Sequence, residues 1–159
     1  MTTAVLEREI PQADLRTADH EFLTFYVGKQ LFGVPVLSVR DVLKPQSLAR
    51  IPLAPKEVAG VINLRGRIIT TIDVRCRLGL KPFDESMQSM SVVVNYGDEL
   101  YSLMVDGVGD VISLSAGAYE NNPATISPKW RDFSNGIYHL DSELMIVLDI
   151  PNLLALGDS

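Results

Sequence analysis

The chain has 159 residues, 47% of them apolar and 21% charged, the make-up of a globular protein with one domain or two very small ones. No run of eighteen apolar residues occurs, so no direct membrane insertion is expected, and the first residues lack a basic start followed by an apolar block, so cytoplasmic residence is expected. The net charge of −6 is uneven, with nine Lys/Arg against four Asp/Glu from His20 to Gly79 and two against twelve from Phe83 to Ser159, a polarity that bears on association rather than fold.

In chain order, residues 1–19 lack periodicity and read as a flexible N-terminal tail. Phe22–Gly28 and Gln30–Val36, rich in Phe, Tyr, Val and Leu about Gly28-Lys29, predict a β-hairpin. In Leu37–Leu43, the spacing of Val36, Val39, Val42 and Leu43 predicts a short helical turn ending before Pro45. Val61–Leu64 and Arg67–Ile72 are predicted strands either side of Arg65-Gly66, followed by a short helix within Asp73–Leu80. Lys81–Gln88 is a polar connector. Ser91–Tyr96 and Glu99–Val105 form a second hairpin about Gly97-Asp98. Gly107 and Gly109 weaken a helix over Asp106–Ile112, so an extended segment is equally expected there. The stretch near Asn121–Phe133, with Pro123 and Pro128, reads as a loop. Ile137–Leu140 and Leu144–Leu148 are strands about Asp141-Ser142, and Pro151–Leu156 is a short helix with proline suited to its first position.

These elements repeat. Gly28–Leu43 aligns without a gap on Gly97–Ile112 at an offset of 69, and Gly60–Val74 aligns on Gly136–Ile150 at an offset of 76. Glycine, aromatic, aliphatic and aspartate positions correspond in both blocks. An internal duplication follows, with copies over about 20–80 and 89–156 inside a domain of 20–156. Copies of about sixty residues are marginal alone and should share an interface as one folding unit; strand exchange between them fits the pattern. The expected fold is mostly β: two small five-stranded β-barrels with short helices, since closure removes exposed sheet edges.

Reactive chemistry is sparse. Cys76 is the only cysteine, which excludes an intrachain disulfide, and His20 and His139 lie far from it in sequence. One Cys and two distant His do not make a compact zinc set. Gly107-Val108-Gly109 lacks the third glycine and the strand–helix setting of a dinucleotide loop. Asp73 and Asp149 end equivalent strands and are expected to cap the helices that follow. No cofactor, metal or catalytic set is expected. Basic charges in the first copy are scattered rather than interleaved with aromatics, which argues against nucleic acid.

The copies diverge at their central turn. Asn63-Leu64-Arg65-Gly66-Arg67 stands where the second copy has His139-Leu140-Asp141-Ser142-Glu143. A guanidinium on a tight turn can bind a partner carboxylate bidentately, so Arg65 is a candidate contact. A second candidate surface is apolar: Val39, Val42 and Leu43, beside a groove that could accept an amphipathic helix.

Glu21-Phe22-Leu23-Thr24-Phe25, Gly33-Val34, Val39-Arg40-Asp41-Val42, Pro52, Gly60-Val61-Ile62-Asn63-Leu64-Arg65-Gly66, Ile72-Asp73-Val74-Arg75, Val105-Asp106-Gly107-Val108 and Asp110-Val111 together resemble the CheW family of chemotaxis coupling proteins. The resemblance runs from about residue 20 to 156. It implies two five-stranded SH3-like barrels and a non-enzymatic scaffold that bridges the cytoplasmic tips of methyl-accepting chemoreceptors to the regulatory module of the histidine kinase CheA, within membrane-associated receptor arrays. It also implies that Val39, Asp41, Gly60, Asn63, Arg65, Gly66 and Val111 serve receptor or kinase binding. Asp41 departs from the glutamate often found there, and Met90-Ser91 from a pair often apolar. A small-ligand or nucleic-acid-binding β-barrel is the alternative reading.

Overall fold

A computed structural model describes residues 20–84, 86–114, 119–120, 128–140 and 143–155; the 1–19 tail and the Asp141-Ser142 turn lie outside them. The two predicted hairpins form. Strands β1 (His20–Val27) and β2 (Gln30–Pro35) turn at Gly28, and β6 (Met90–Tyr96) and β7 (Glu99–Val105) turn at Gly97. Both glycines sit at φ +63°, the left-handed conformation a two-residue hairpin turn requires. The remaining strands are β3 (Val39–Leu43), β4 (Val58–Leu64), β5 (Arg67–Asp73), β8 (Gly107–Leu114), β9 (Tyr119–Glu120), β10 (Ser134–His139) and β11 (Leu144–Leu148).

They assemble into two sheets of mixed parentage. One runs β8-β1-β2-β11-β10-β9, the other β3-β6-β7-β5-β4. The N-terminal hairpin of each copy is thus completed by the later strands of the other copy. The plans match strand for strand. Phe25 pairs with Val108 as Val94 pairs with Val39, Phe32 pairs in parallel with Ile146 as Tyr101 does with Thr70, and Ile137 opposes Ile146 as Val61 opposes Thr70. The two-residue β9, which pairs Glu120 with Ile137, is matched by the single bridge of Ala49 to Val61.

The exchange sets the core. One face of each sheet lines its own interior: Phe22, Leu31, Tyr138, Met145 and Val147 in the first, and Ile62, Ile69 and Val93 in the second. The other faces meet in a central cluster that takes Leu23, Phe25, Phe32, Val34 and Ile146 from the first sheet and Ile72, Val92, Val94, Leu103 and Val105 from the second. This explains uninterrupted buried runs such as Val92-Val93-Val94, whose alternate residues serve two cores. Burying each such side chain contributes about 1.5–3 kcal/mol, so separating the sheets would forfeit most of the central cluster.

The helical turn predicted over Leu37–Leu43 is corrected. Only Val36–Ser38 forms a 3-10 turn, and Val39–Leu43 is a strand. A β-bulge at Arg40 is the reason. Val39 opposes Val94 and Val42 opposes Val92, so two residues three apart face the same core and imitate helical spacing. Of the expected loop near Asn121–Phe133, residues 121–127 lie outside the described ones, and the part over Pro128–Arg131 is corrected to a helical turn, α2. The capping expectation holds. Asp73 accepts from Cys76 N–H at 3.0 Å ahead of α1 (Val74–Arg77), and Asp149 accepts from Asn152 N–H at 3.1 Å ahead of α3 (Ile150–Leu153). Among the described residues no helix is long and apolar enough to cross a membrane.

Candidate functional site

The divergent turn is a strained hairpin. Leu64 pairs with Arg67, leaving Arg65 at φ +53° and Gly66 at φ +87°, the two positive values of a type I′ turn. Glycine adopts this freely; arginine is held there at a cost of order 1–3 kcal/mol. Asn63 Oδ1 accepts from Gly66 N–H at 2.9 Å and fixes the turn. The Arg65 guanidinium extends to Asp41 Oδ2 at 3.2 Å, with the arginine side chain 75% exposed and the aspartate 25%. Asp41 is itself held by accepting from Val42 N–H at 2.9 Å. Because β3 and β4 are the two outer strands of their sheet, this pair ties one sheet edge to the other. An exposed pair stabilises by at most about 1 kcal/mol, so its consequence is orientation: Arg65 stands out from the surface in a defined direction.

Asp41, Asn63, Arg65 and Gly66 therefore come together, with Ile68 joining them. Ile68 lies across the hairpin from Asn63 and is 66% exposed. It was missed by sequence reasoning, although strict alternation with the buried Ile69 would have placed it outward. Val39 and Gly60 do not lie on this surface. Val39 is half-buried against the central cluster. Gly60 is buried at φ +150°, where a Cβ would fall 2.6 Å from the carbonyl oxygen of Ala49. Ala49 and Val61 exchange backbone hydrogen bonds at 2.9 Å, so Gly60 admits the chain segment that leads into β4.

Val111 lies on β8, at the edge of the other sheet. It is the counterpart of Val42 at the offset of 69. Val42 opposes Val92 and Val111 opposes Leu23, both members of the central cluster. Opposed residues share a face, so the two valines prolong the inter-sheet core to its rim, where they are 37% and 46% exposed. Leu43 instead turns toward the Ile62–Ile69 interior.

Other arginines of the first copy work internally. Arg75 binds Asp106 at 2.7 Å, and Asp106 also accepts from Gly28 N–H at 3.1 Å, fastening α1 to the first hairpin turn. Trp130 donates from its indole nitrogen to the Leu78 carbonyl at 3.0 Å. Burial, followed by the Asp73 and Glu57 carboxylates, pushes the Cys76 thiol up, away from nucleophilic use. His139 ends β10, exposed. Among the described residues no three His, Cys, Asp or Glu side chains converge as metal ligands.

The exchanged-sheet fold, with an arginine turn and an apolar rim as its exposed features, defines a docking scaffold of the coupling-protein class. A CheW-like domain model matches residues 21–157, and the chain belongs to the CheW family of chemotaxis scaffolds. It is 30% identical over 145 residues to a probable chemotaxis protein CheW of Rhizobium etli, spanning 91% of this chain and 94% of that protein. It is 30% identical over 139 residues to chemotaxis protein CheW of Klebsiella aerogenes, with 87% and 84% covered. Among solved structures, the scaffolding protein TtCheW of Thermoanaerobacter tengcongensis superposes with a TM-score of 0.80 at 28% identity, covering 89% of this chain and 96% of that one.

Proposed function

We propose that the chain couples methyl-accepting chemoreceptors to the histidine kinase CheA in the cytoplasm, performing no reaction itself and joining receptor arrays through its partners. The observation that carries this reading is the arrangement of two unlike surfaces on one rigid frame. The Arg65 turn offers guanidinium donors to a partner carboxylate. The rim valines Val42 and Val111 prolong an apolar core outward, which suits the apolar face of a receptor helix. Asp41, Asn63 and Gly66 orient Arg65, while Val39 and Gly60 support the strands that carry the contacts.

The test is co-sedimentation of the full chain with CheA and a receptor cytoplasmic fragment, separately and together. The chain should bind both and bridge them, and affinity should weaken with added salt. Val42→Arg or Val111→Arg should reduce capture while leaving thermal unfolding nearly unchanged. Failure of the unmodified chain to bind either partner would overturn the assignment.

A further inference from the structure

The duplication exposes a site that one half has closed and the other has left open. Arg40, Arg67, Asn95, Gly97, Asp98 and Leu100 line a cleft of about 470 Å³ at one end of the five-stranded sheet, within the size range of small-molecule sites. At the offsets of 69 and 76, their counterparts are Gly109, Glu143, Tyr26, Gly28, Lys29 and Leu31. In that second setting the Tyr26 hydroxyl donates to Glu143 at 3.1 Å, a bond that raises the tyrosine pKa. Tyr26 and Glu143 thus satisfy each other there. Gly109 has no room for a longer residue, since a Cβ would fall 2.7 Å from the Thr24 hydroxyl.

The first setting differs at four of these six positions. Arg67 replaces the glutamate and Arg40 replaces the glycine. Arg40 is the extra residue of the β3 bulge, which turns its side chain out of the ladder. Among the described residues neither guanidinium has a hydrogen-bond or ion-pair partner. Two like charges share one cleft against the single carboxylate of Asp98, so the cleft is net positive and supplies a fork of unused planar donors. Asn95 adds an amide where the other half has a tyrosine.

We infer that this cleft binds a small phosphate-type oxyanion, held by Arg40 and Arg67. A guanidinium matches the tetrahedral oxygens of phosphate bidentately, and this cleft offers two such groups. Asp98 opposes the ligand and tunes the site toward weak, exchangeable binding. The inference stands on the asymmetry between the halves and is independent of receptor or kinase docking.

The experiment is titration of the full chain with inorganic phosphate at constant ionic strength, followed by amide NMR shifts, with sodium acetate as the carboxylate comparator. Saturable shifts centred on β3 and the β6–β7 turn are expected, with acetate weaker. Arg40→Gln and Arg67→Gln should each weaken binding about tenfold, and Asp98→Asn should tighten it. Arg50→Gln, removing an exposed arginine outside the cleft, should change nothing. Absence of saturation, or equal weakening by Arg50→Gln, would overturn the inference. Acetate binding as tightly as phosphate would overturn its phosphate specificity.

Discussion

The guanidinium of Arg77 donates to the backbone carbonyl of Leu153 at 2.8 Å, and Leu153 occupies Arg77's own place in the second copy, 76 positions on. The same side chain reaches the carbonyls of Asn152 at 2.9 Å and Ala155 at 3.2 Å and stacks 4.8 Å from the Phe133 ring centre. A polar arm of one copy thus terminates the last helix of the other, while its counterpart leucine is fully buried in the central cluster. Arg77→Gln should lower stability by about 2 kcal/mol through lost charge-assisted bonds and stacking. Urea unfolding checks this, and a single transition is expected because the sheets share one core. Two resolved transitions, or an unchanged midpoint, would contradict the interlock.

Gly60→Ala is predicted to act on the fold. The new methyl would meet the Ala49 carbonyl oxygen at 2.6 Å, and φ +150° is strained for any side chain. Gly97 at φ +63° has open space around its missing Cβ, so Gly97→Ala carries backbone strain alone, about 1 kcal/mol. The melting temperature should fall further for Gly60→Ala, with partner binding declining in step. Lost binding at an unchanged melting temperature would instead make Gly60 a contact residue.

The hairpins and the duplication were legible because each rests on local signals: paired turn glycines, alternation, and aspartates at matched offsets. The exchange of strands could only be left open, since a repeat aligns on itself whichever copy supplies the neighbour. The copies are joined by two antiparallel pairs, β1 with β8 and β3 with β6, and by two parallel ones, β2 with β11 and β5 with β7, all between strands remote in sequence. The β3 segment misled for a physical reason: the Arg40 bulge gives a strand the three-residue spacing of a helix. At the site, Arg65 stood out by its divergence from Asp141, but the confinement of Gly60 by Ala49 depends on an approach no local pattern encodes.

The Cys76 thiol offers a pH test. Burial first, then Asp73 and Glu57, push it up, with Lys56 acting in the opposite sense. A thiol that holds its proton more tightly when folded contributes stability that is complete below the unfolded value, about 8.5, and is lost as pH rises through the folded one. Stability of the chain should therefore decline above that pH more steeply than in Cys76→Ala. Labelling with a thiol-reactive disulfide should show a rate midpoint above that of the chain unfolded in urea. Coincident midpoints would show the pocket exerts no such effect.

Arg65→Asn separates shape from recognition at the turn. Asparagine before glycine is a favoured type I′ pair, and replacing arginine at φ +53° should relieve strain, raising stability by about 0.5–1 kcal/mol. The loss of the Asp41 pair offsets little of this, since Arg65 is 75% exposed in it. The same change removes the guanidinium donors of Arg65 from the tip of the turn. Calorimetry and partner co-sedimentation on one preparation should therefore move in opposite directions: a higher melting temperature with weaker capture. Under the docking reading the strained arginine is retained for its donors. If capture survives the substitution, Arg65 is dispensable for docking; if the melting temperature falls instead, the Asp41 pair is chiefly a strut holding the sheet edges together.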